Sequence, residues 1–173
     1  MKIQNWLNTY EIPICIYFNK ANNRNSLSQI FGLVSRLGDG VFWYTIISLL
    51  PLIHGWGAIR VSLHMLLVGA LALLVYKSLK TITNRHRPFQ FSLDIVQTVR
   101  ALDVYSFPSG HTMHAISFST VLLSYYPQWF WLVVPFSAMV ATSRLVLGLH
   151  YPTDVLIGGL IGFSLASISL FII

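Results

Sequence analysis

The chain has 173 residues, 55% of them hydrophobic and 9% charged, about a third of the charged fraction of an ordinary soluble domain. The length is that of one domain, and residues 104–143 contain no Asp, Glu, Lys or Arg; this excludes a water-soluble globule and makes a multi-pass membrane protein the expectation. Eleven Lys and Arg against five Asp and Glu point to anionic partners, although basic residues also gather at membrane surfaces without a ligand. Cys15 is the only cysteine, so no disulfide framework within the chain and no Cys-based zinc site is expected. No signal-peptide pattern opens the chain, and insertion is expected to rely on the internal spans.

Residues 1–39 carry Trp6, Tyr10, Ile12, Ile14, Ile16, Tyr17 and Phe18 interleaved with Asn, Lys and Pro. No uninterrupted span can be drawn there, and the reading is an interfacial, partly amphipathic segment. After a polar link at 22–25, Leu27, Ile30, Leu33, Val34 and Leu37 recur at helical spacing. The remainder, 40–173, forms the membrane domain. A span needs roughly 17 to 25 mostly apolar residues, and about five segments qualify: 40–56, 59–79, 110–126, 129–149, and 152 to the C-terminus. The third stops at Tyr125, Tyr126 and Pro127, an interfacial aromatic pair followed by a helix breaker. Runs this long outlast a barrel strand, so the fold class is all-α, a multi-span transmembrane helix bundle with an interfacial N-terminal segment.

Parity then does more than exact boundaries. The end of span two and the start of span three share a membrane face, as do the end of span four and the start of span five. Lys80, Arg85, His86 and Arg87 follow span two; Ser109, Gly110 and His111 open span three; Ser143, Arg144, His150 and Asp154 straddle the last turn. Three clusters distant in sequence meet on one face.

Ionisable groups at the edge of hydrocarbon persist mostly where they pair or serve a site. Taken singly, each cluster has a plain explanation: Arg144 and Asp154 pair to hold two helices, Lys80, Arg85 and Arg87 flank a span as positive charges do, and His111 or His114 is a packed histidine. Together they supply what phosphoryl transfer needs. Lys and Arg neutralise the charge on the transferred group, and arginine adds a bidentate fork. Pro108 before Ser109 and Gly110 sets a helix start whose free N–H groups face an anion, and Pro152 does the same for the last span. A neutral imidazole attacks phosphorus when its far nitrogen is held by an acceptor, and His150 and Asp154 lie one helical turn apart. A second histidine, His111, protonates the leaving oxygen and later activates water. No metal or other cofactor is required by this scheme.

Lys80, Arg87 and Pro88 read as K-x6-R-P, Pro108 to His111 as P-S-G-H, and Ser143, Arg144, His150 and Asp154 as S-R-x5-H-x3-D. This resembles the three-part signature of the type 2 phosphatidic acid phosphatase superfamily, complete and in order, at helix ends. The resemblance implies that His150 forms a phosphohistidine, that Asp154 orients it, and that His111 is the general acid. By the same analogy Lys80, Arg87, Ser109, Gly110 and Arg144 hold the phosphate. Arg85, His86 and His114 fall outside the motif positions, and residues 1–39 add nothing to the match. The segment 89–107 reads equally as a cap over the site or as an interfacial loop.

The leading expectation is a membrane hydrolase acting on a lipid phosphate or diphosphate. Phosphatidic acid, phosphatidylglycerol phosphate and polyprenyl (undecaprenyl) diphosphate are the candidate substrates, the bilayer is the other partner, and no nucleic acid is expected. Three rivals stand beside it: a phosphotransferase using the same intermediate, a non-catalytic binder of anionic lipid, and a metal-dependent hydrolase. Counting basic residues puts the active face in the cytoplasm. The resemblance favours the outer, periplasmic-type face of a bacterial inner membrane. The sequence fixes neither the lipid nor the oligomeric state.

Overall fold

Apolar runs punctuated by Pro, Gly and Asn divide the chain into α1 (Lys2–Asn19), α2 (Asn25–Arg36), α3 (Phe42–His54), α4 (Ile59–Thr83), α5 (Pro88–Phe91), α6 (Gly110–Tyr125), α7 (Phe130–Val146) and α8 (Pro152–Ile172). These elements are seen in a computed structural model that describes residues 2–173, with side chains described from residue 9 onward. The side chain of Trp6, named in the interfacial reading, lies outside the described residues. There is no strand among the described residues, and the multi-span all-α bundle expected from the sequence is the fold observed.

Among the described residues four helical stretches are long and apolar enough to cross a membrane: Asn25–His54, Trp56–Phe91, Pro127–Val146 and Pro152–Ile172. The first is interrupted at Gly40, whose φ of 138° lies in a region that residues with a side chain rarely adopt. Its membrane part is therefore α3, and α2 is a separate amphipathic helix before the kink. The 16-residue α6 sits at the centre of the bundle against α4, α7 and α8. Its Ala115, Ser117, Phe118, Val121 and Leu122 are all buried, so it has no lipid-facing stripe. Observed helix bounds fall within a few residues of the five expected spans.

Small residues let α8 approach α6. A Cβ on Gly158 would stand 2.6 Å from the Ser109 carbonyl oxygen, and one on Gly162 would collide with the Met113 carbonyl. Ser117 uses the closeness to donate to the Gly162 carbonyl at 3.0 Å. A second contact zone joins α3, α4, α6 and α7 through Trp43, Leu50, Met65, Val68, Phe118 and Val133, with Phe42 stacked on Phe136 at 3.7 Å. Leu66, Leu67 and Leu74 of α4 and Leu156, Leu160 and Phe163 of α8 face outward, as a lipid-contacting surface requires.

Four helix ends converge on one side: the C-termini of α4 and α7 and the N-termini of α6 and α8. Asn84, with φ 47° and ψ 33°, ends α4 in a left-handed cap and turns Arg85 and Arg87 back toward the bundle. Gly148, with φ 71°, makes the corresponding turn after α7. Helices α1 and α2 close this side from the flank. The inward face of α1 is Glu11, Cys15 and Asn19, all buried and spaced by four. The Asn19 side-chain amide donates to the carbonyls of Val96 and Val146, at 3.0 and 2.9 Å, and its oxygen accepts from the Val96 N–H.

Candidate active site

A cavity of about 160 Å³ opens among the converging helix ends, and Lys80, Arg87, Gly110, His111, Arg144 and His150 all line it. All three motifs therefore meet in one pocket. The rest of its wall includes Tyr44, Leu73, Tyr76, Leu102 and Phe118, so a cationic floor adjoins a largely apolar wall.

His150 is buried at the turn between α7 and α8. Its Nε2 faces the cavity 3.4 Å from Arg87 Nη1, and its Nδ1 lies 3.5 Å from Asp154 Oδ2. A guanidinium can only donate, so the Nε2 beside it carries the lone pair, and the proton is left on Nδ1, the nitrogen on the carboxylate side of the ring. Burial holds the imidazole pKa well below its ordinary range, and Arg87, Arg144, Lys80 and His111 push it further the same way. The ring is neutral at physiological pH.

Asp154 stands behind the ring and does not line the cavity. Its Oδ2 accepts the Tyr151 N–H at 2.9 Å, and its Oδ1 accepts from Arg85 Nη1 at 2.7 Å. Arg85, left outside the motif positions by the sequence reading, is thus bonded directly to the motif carboxylate. Its Nη2 pairs with Glu11 at 2.6 Å, and its guanidinium lies 3.8 Å over the Tyr151 ring.

The remaining phosphate-side residues divide into two kinds. Lys80 Nζ sits 2.7 Å from Asp103 Oδ2 and 3.1 Å from the Tyr105 carbonyl. Arg87 donates to the carbonyls of Leu149 and Asp103, at 2.7 and 3.0 Å, and Arg144 donates to Ser35 Oγ. Among the described residues Arg144 Nε has no hydrogen-bond partner. These three cations are held by their backs and present charge to the pocket. Ser109, by contrast, is fully buried and does not line the cavity: its hydroxyl lies 2.9 Å from Thr112 Oγ1 at the start of α6, and its N–H goes to the Asp154 carbonyl at 3.0 Å. Gly110 lies in the first turn of α6, where backbone N–H groups have no intrahelical acceptor, and a Cβ there would press on the Tyr76 ring at 3.3 Å.

His111 Nε2 contacts Asp39 Oδ1, a residue of the kink before α3. His114 also lines the cavity, its ring nitrogens 2.8 and 3.1 Å from the carbonyl oxygens of Gly110 and Gly69. His86 packs edge-on to Phe91 and Tyr105 away from the pocket. Arg144 and Asp154 do not pair with each other, and the helix-holding explanation of that pair gives way to two separate contacts, with Ser35 and with Arg85. Of the two readings of 89–107 the cap is the one observed, because Leu102 and Asp103 reach the cavity from this segment.

Sequence reasoning missed Glu11, Ser35 and Asp39. A signal was present for two of them. The chain has only five acidic residues, and four of them, Glu11, Asp39, Asp103 and Asp154, contact a cation or histidine of this site. In a chain so poor in charge, every carboxylate outside a soluble loop merits assignment.

Comparison with known proteins agrees with the motifs. The profile of the PAP2 superfamily matches residues 61–172. The undecaprenyl-diphosphatase of Sulfolobus acidocaldarius is 29% identical over 147 residues, covering 83% of this chain and 70% of that protein. The bacitracin transport permease protein BcrC of Bacillus licheniformis is 28% identical over 102 residues, which is 58% of this chain and 49% of the relative. Among solved structures, a transmembrane PAP2-type phosphatidylglycerolphosphate phosphatase from Bacillus subtilis superposes with a TM-score of 0.70 at 26% identity, over 92% of this chain and 84% of that one. Aquifex aeolicus LpxE shares the fold with a TM-score of 0.73 at 24% identity, over 93% of this chain and 94% of that one.

Proposed function

The chain belongs to the PAP2 superfamily, and on that premise we propose that it is an integral membrane lipid phosphatase that works through a phosphohistidine on His150. The observation that carries this reading is the neutral imidazole itself, with Nε2 open to a cavity ringed by Lys80, Arg87 and Arg144 and Nδ1 turned to a buried carboxylate. The lone pair on His150 Nε2 forms a bond to phosphorus while the bond from phosphorus to the lipid oxygen breaks. The three cations take up the charge on the non-bridging oxygens. His111 gives its proton to the departing oxygen, then takes one from a water that attacks the phosphohistidine. Inorganic phosphate leaves, and both histidines return to their starting states. Among the described residues no three His, Cys, Asp or Glu side chains gather as a metal-ligand set, and the scheme assigns no step to a metal.

The substrate class follows from the two halves of the pocket. The floor reads only phosphate, while Tyr44, Leu73 and Tyr76 on α3 and α4 continue into the lipid-facing surface, so a headgroup enters while its tails stay in hydrocarbon. Phosphatidic acid, phosphatidylglycerol phosphate and undecaprenyl diphosphate all meet these conditions, and two of the similar proteins, an undecaprenyl-diphosphatase and a phosphatidylglycerolphosphate phosphatase, are named for lipids of this range. The site faces the outer side of a bacterial inner membrane in this reading.

Phosphate release from each of these three lipids, given singly to the purified protein in detergent with excess chelator, is the decisive assay. Release from at least one, abolished in His150→Ala, is the expected result. Release only when a second lipid is added would replace hydrolysis with phosphotransfer, turnover lost to chelator would restore the metal-dependent alternative, and turnover retained by His150→Ala would remove the nucleophile.

A further inference from the structure

Behind the catalytic imidazole lies a buried ion network that the three motifs contain only in part. Arg85 spans two carboxylates, Asp154 at 2.7 Å and Glu11 at 2.6 Å, and the other Glu11 oxygen accepts the Thr153 N–H at 2.8 Å. All three side chains are at most 7% exposed, so water screens their charges poorly. Glu11 arrives from α1, whose Cys15 Sγ also lies 3.9 Å from the His150 carbonyl oxygen.

We propose that Glu11 and Arg85 are positioning residues for the reaction, clamping Asp154 behind His150 and leaving a net negative charge there for the imidazole. The inference rests on the assignment of His150 as nucleophile. Two effects combine. Arg85 occupies Oδ1, which turns Oδ2 toward the Tyr151 N–H and His150 Nδ1, and a planar fork is needed to bridge two carboxylates in this way. Charge is the second effect. Arg85 and Asp154 alone sum to zero, which would leave nothing to balance the positive charge that the ring gains as Nε2 bonds to phosphorus. Glu11 restores a net charge of minus one to the group. Neither Glu11 nor Arg85 lines the cavity, so their removal acts on the chemical step and not on phosphate binding.

Glu11 also caps the first turn of α8, and a merely structural role must be told apart from positioning. The full chain in detergent is assayed with whichever of the three lipids above is hydrolysed fastest, comparing Glu11→Gln, Arg85→Gln, the double variant and His150→Ala. Glu11→Gln is expected to lower kcat roughly tenfold to a hundredfold while KM stays within about twofold, and the double variant is expected to be no slower than Arg85→Gln alone. An unchanged kcat in Glu11→Gln, or losses that multiply in the double variant, overturns the proposal. Should Glu11→Gln not fold, Arg85→Lys is read in its place, with the same fall in kcat at constant KM expected and an unchanged kcat overturning it. Activity in His150→Ala instead refutes the nucleophile assignment, a separate outcome.

Discussion

At His150 a histidine is held in its neutral form by withholding water from it. Burial and three neighbouring cations favour the neutral ring, and the same preference marks the folding equilibrium. Below about pH 6.5 an unfolded chain protonates this histidine, while the folded chain does not. The unfolded state then binds the extra proton, so stability falls as pH drops through that range and is unaffected above it. The difference in stability between His150→Asn and the wild type is therefore expected to move in the variant's favour below pH 6.5, by up to about 1.4 kcal/mol per pH unit. Thermal unfolding in detergent at pH 7, 6 and 5 measures it, and parallel curves would contradict the burial argument. Tyr151 next door is pushed the other way, its phenol raised chiefly by burial, and it stays neutral beneath Arg85. The residues readable from sequence were those that stand at positions of the three motifs. Glu11 and Ser35 were not, because their partners, Arg85 and Arg144, lie 74 and 109 positions away, a distance no local pattern encodes.

Helices hold these side chains in place by meeting closely, and the tightest meeting is α6 with α8. That contact fixes His111 of one helix relative to Asp154 of the other, since the Ser109 N–H bonds the Asp154 carbonyl across it. Gly162→Val places atoms against the Met113 carbonyl and is expected to destabilise by about 3 kcal/mol or more. Gly159→Ala, where the new Cβ would stand 3.7 Å from Thr112 Cγ2, is expected to be tolerated. Melting temperatures of the two variants separate a specific close approach from a general dislike of side chains on α8. Boundaries of the five crossing helices were legible because apolar runs and Pro or Gly punctuation mark them. The kink at Gly40 was not, since a single glycine between Asp39 and Val41 reads the same whether the chain bends or continues, and Asp39 was lost with it.

On the scale of the molecule, charge is distributed one-sidedly. Lys80, Arg85, Arg87 and Arg144 sit on the face of the site, Lys77 near the end of α4 and Arg100 in the capping segment lie on the same side, and Lys20, Arg24 and Arg36 belong to elements packed beside it, while Arg60 at the start of α4 lies toward the other face. Counting them all would send this face to the cytoplasm. Four of these charges are held at the site by Glu11, Asp103, Asp154, Ser35 and backbone carbonyls, and a charge retained for chemistry carries no information about orientation. The outward assignment is tested through the cysteine content. Cys15 is buried, and burial raises its thiol pKa to about 12, so the wild-type chain is expected to resist a membrane-impermeant maleimide even in detergent. Thr98 is exposed on the loop that caps the site, and Thr98→Cys adds one reactive thiol there. Labelling of Thr98→Cys in intact bacterial cells is expected, at the level reached after the cells are opened. Labelling only after opening would place the catalytic face, and with it the lipid leaflet that supplies the substrate, on the cytoplasmic side.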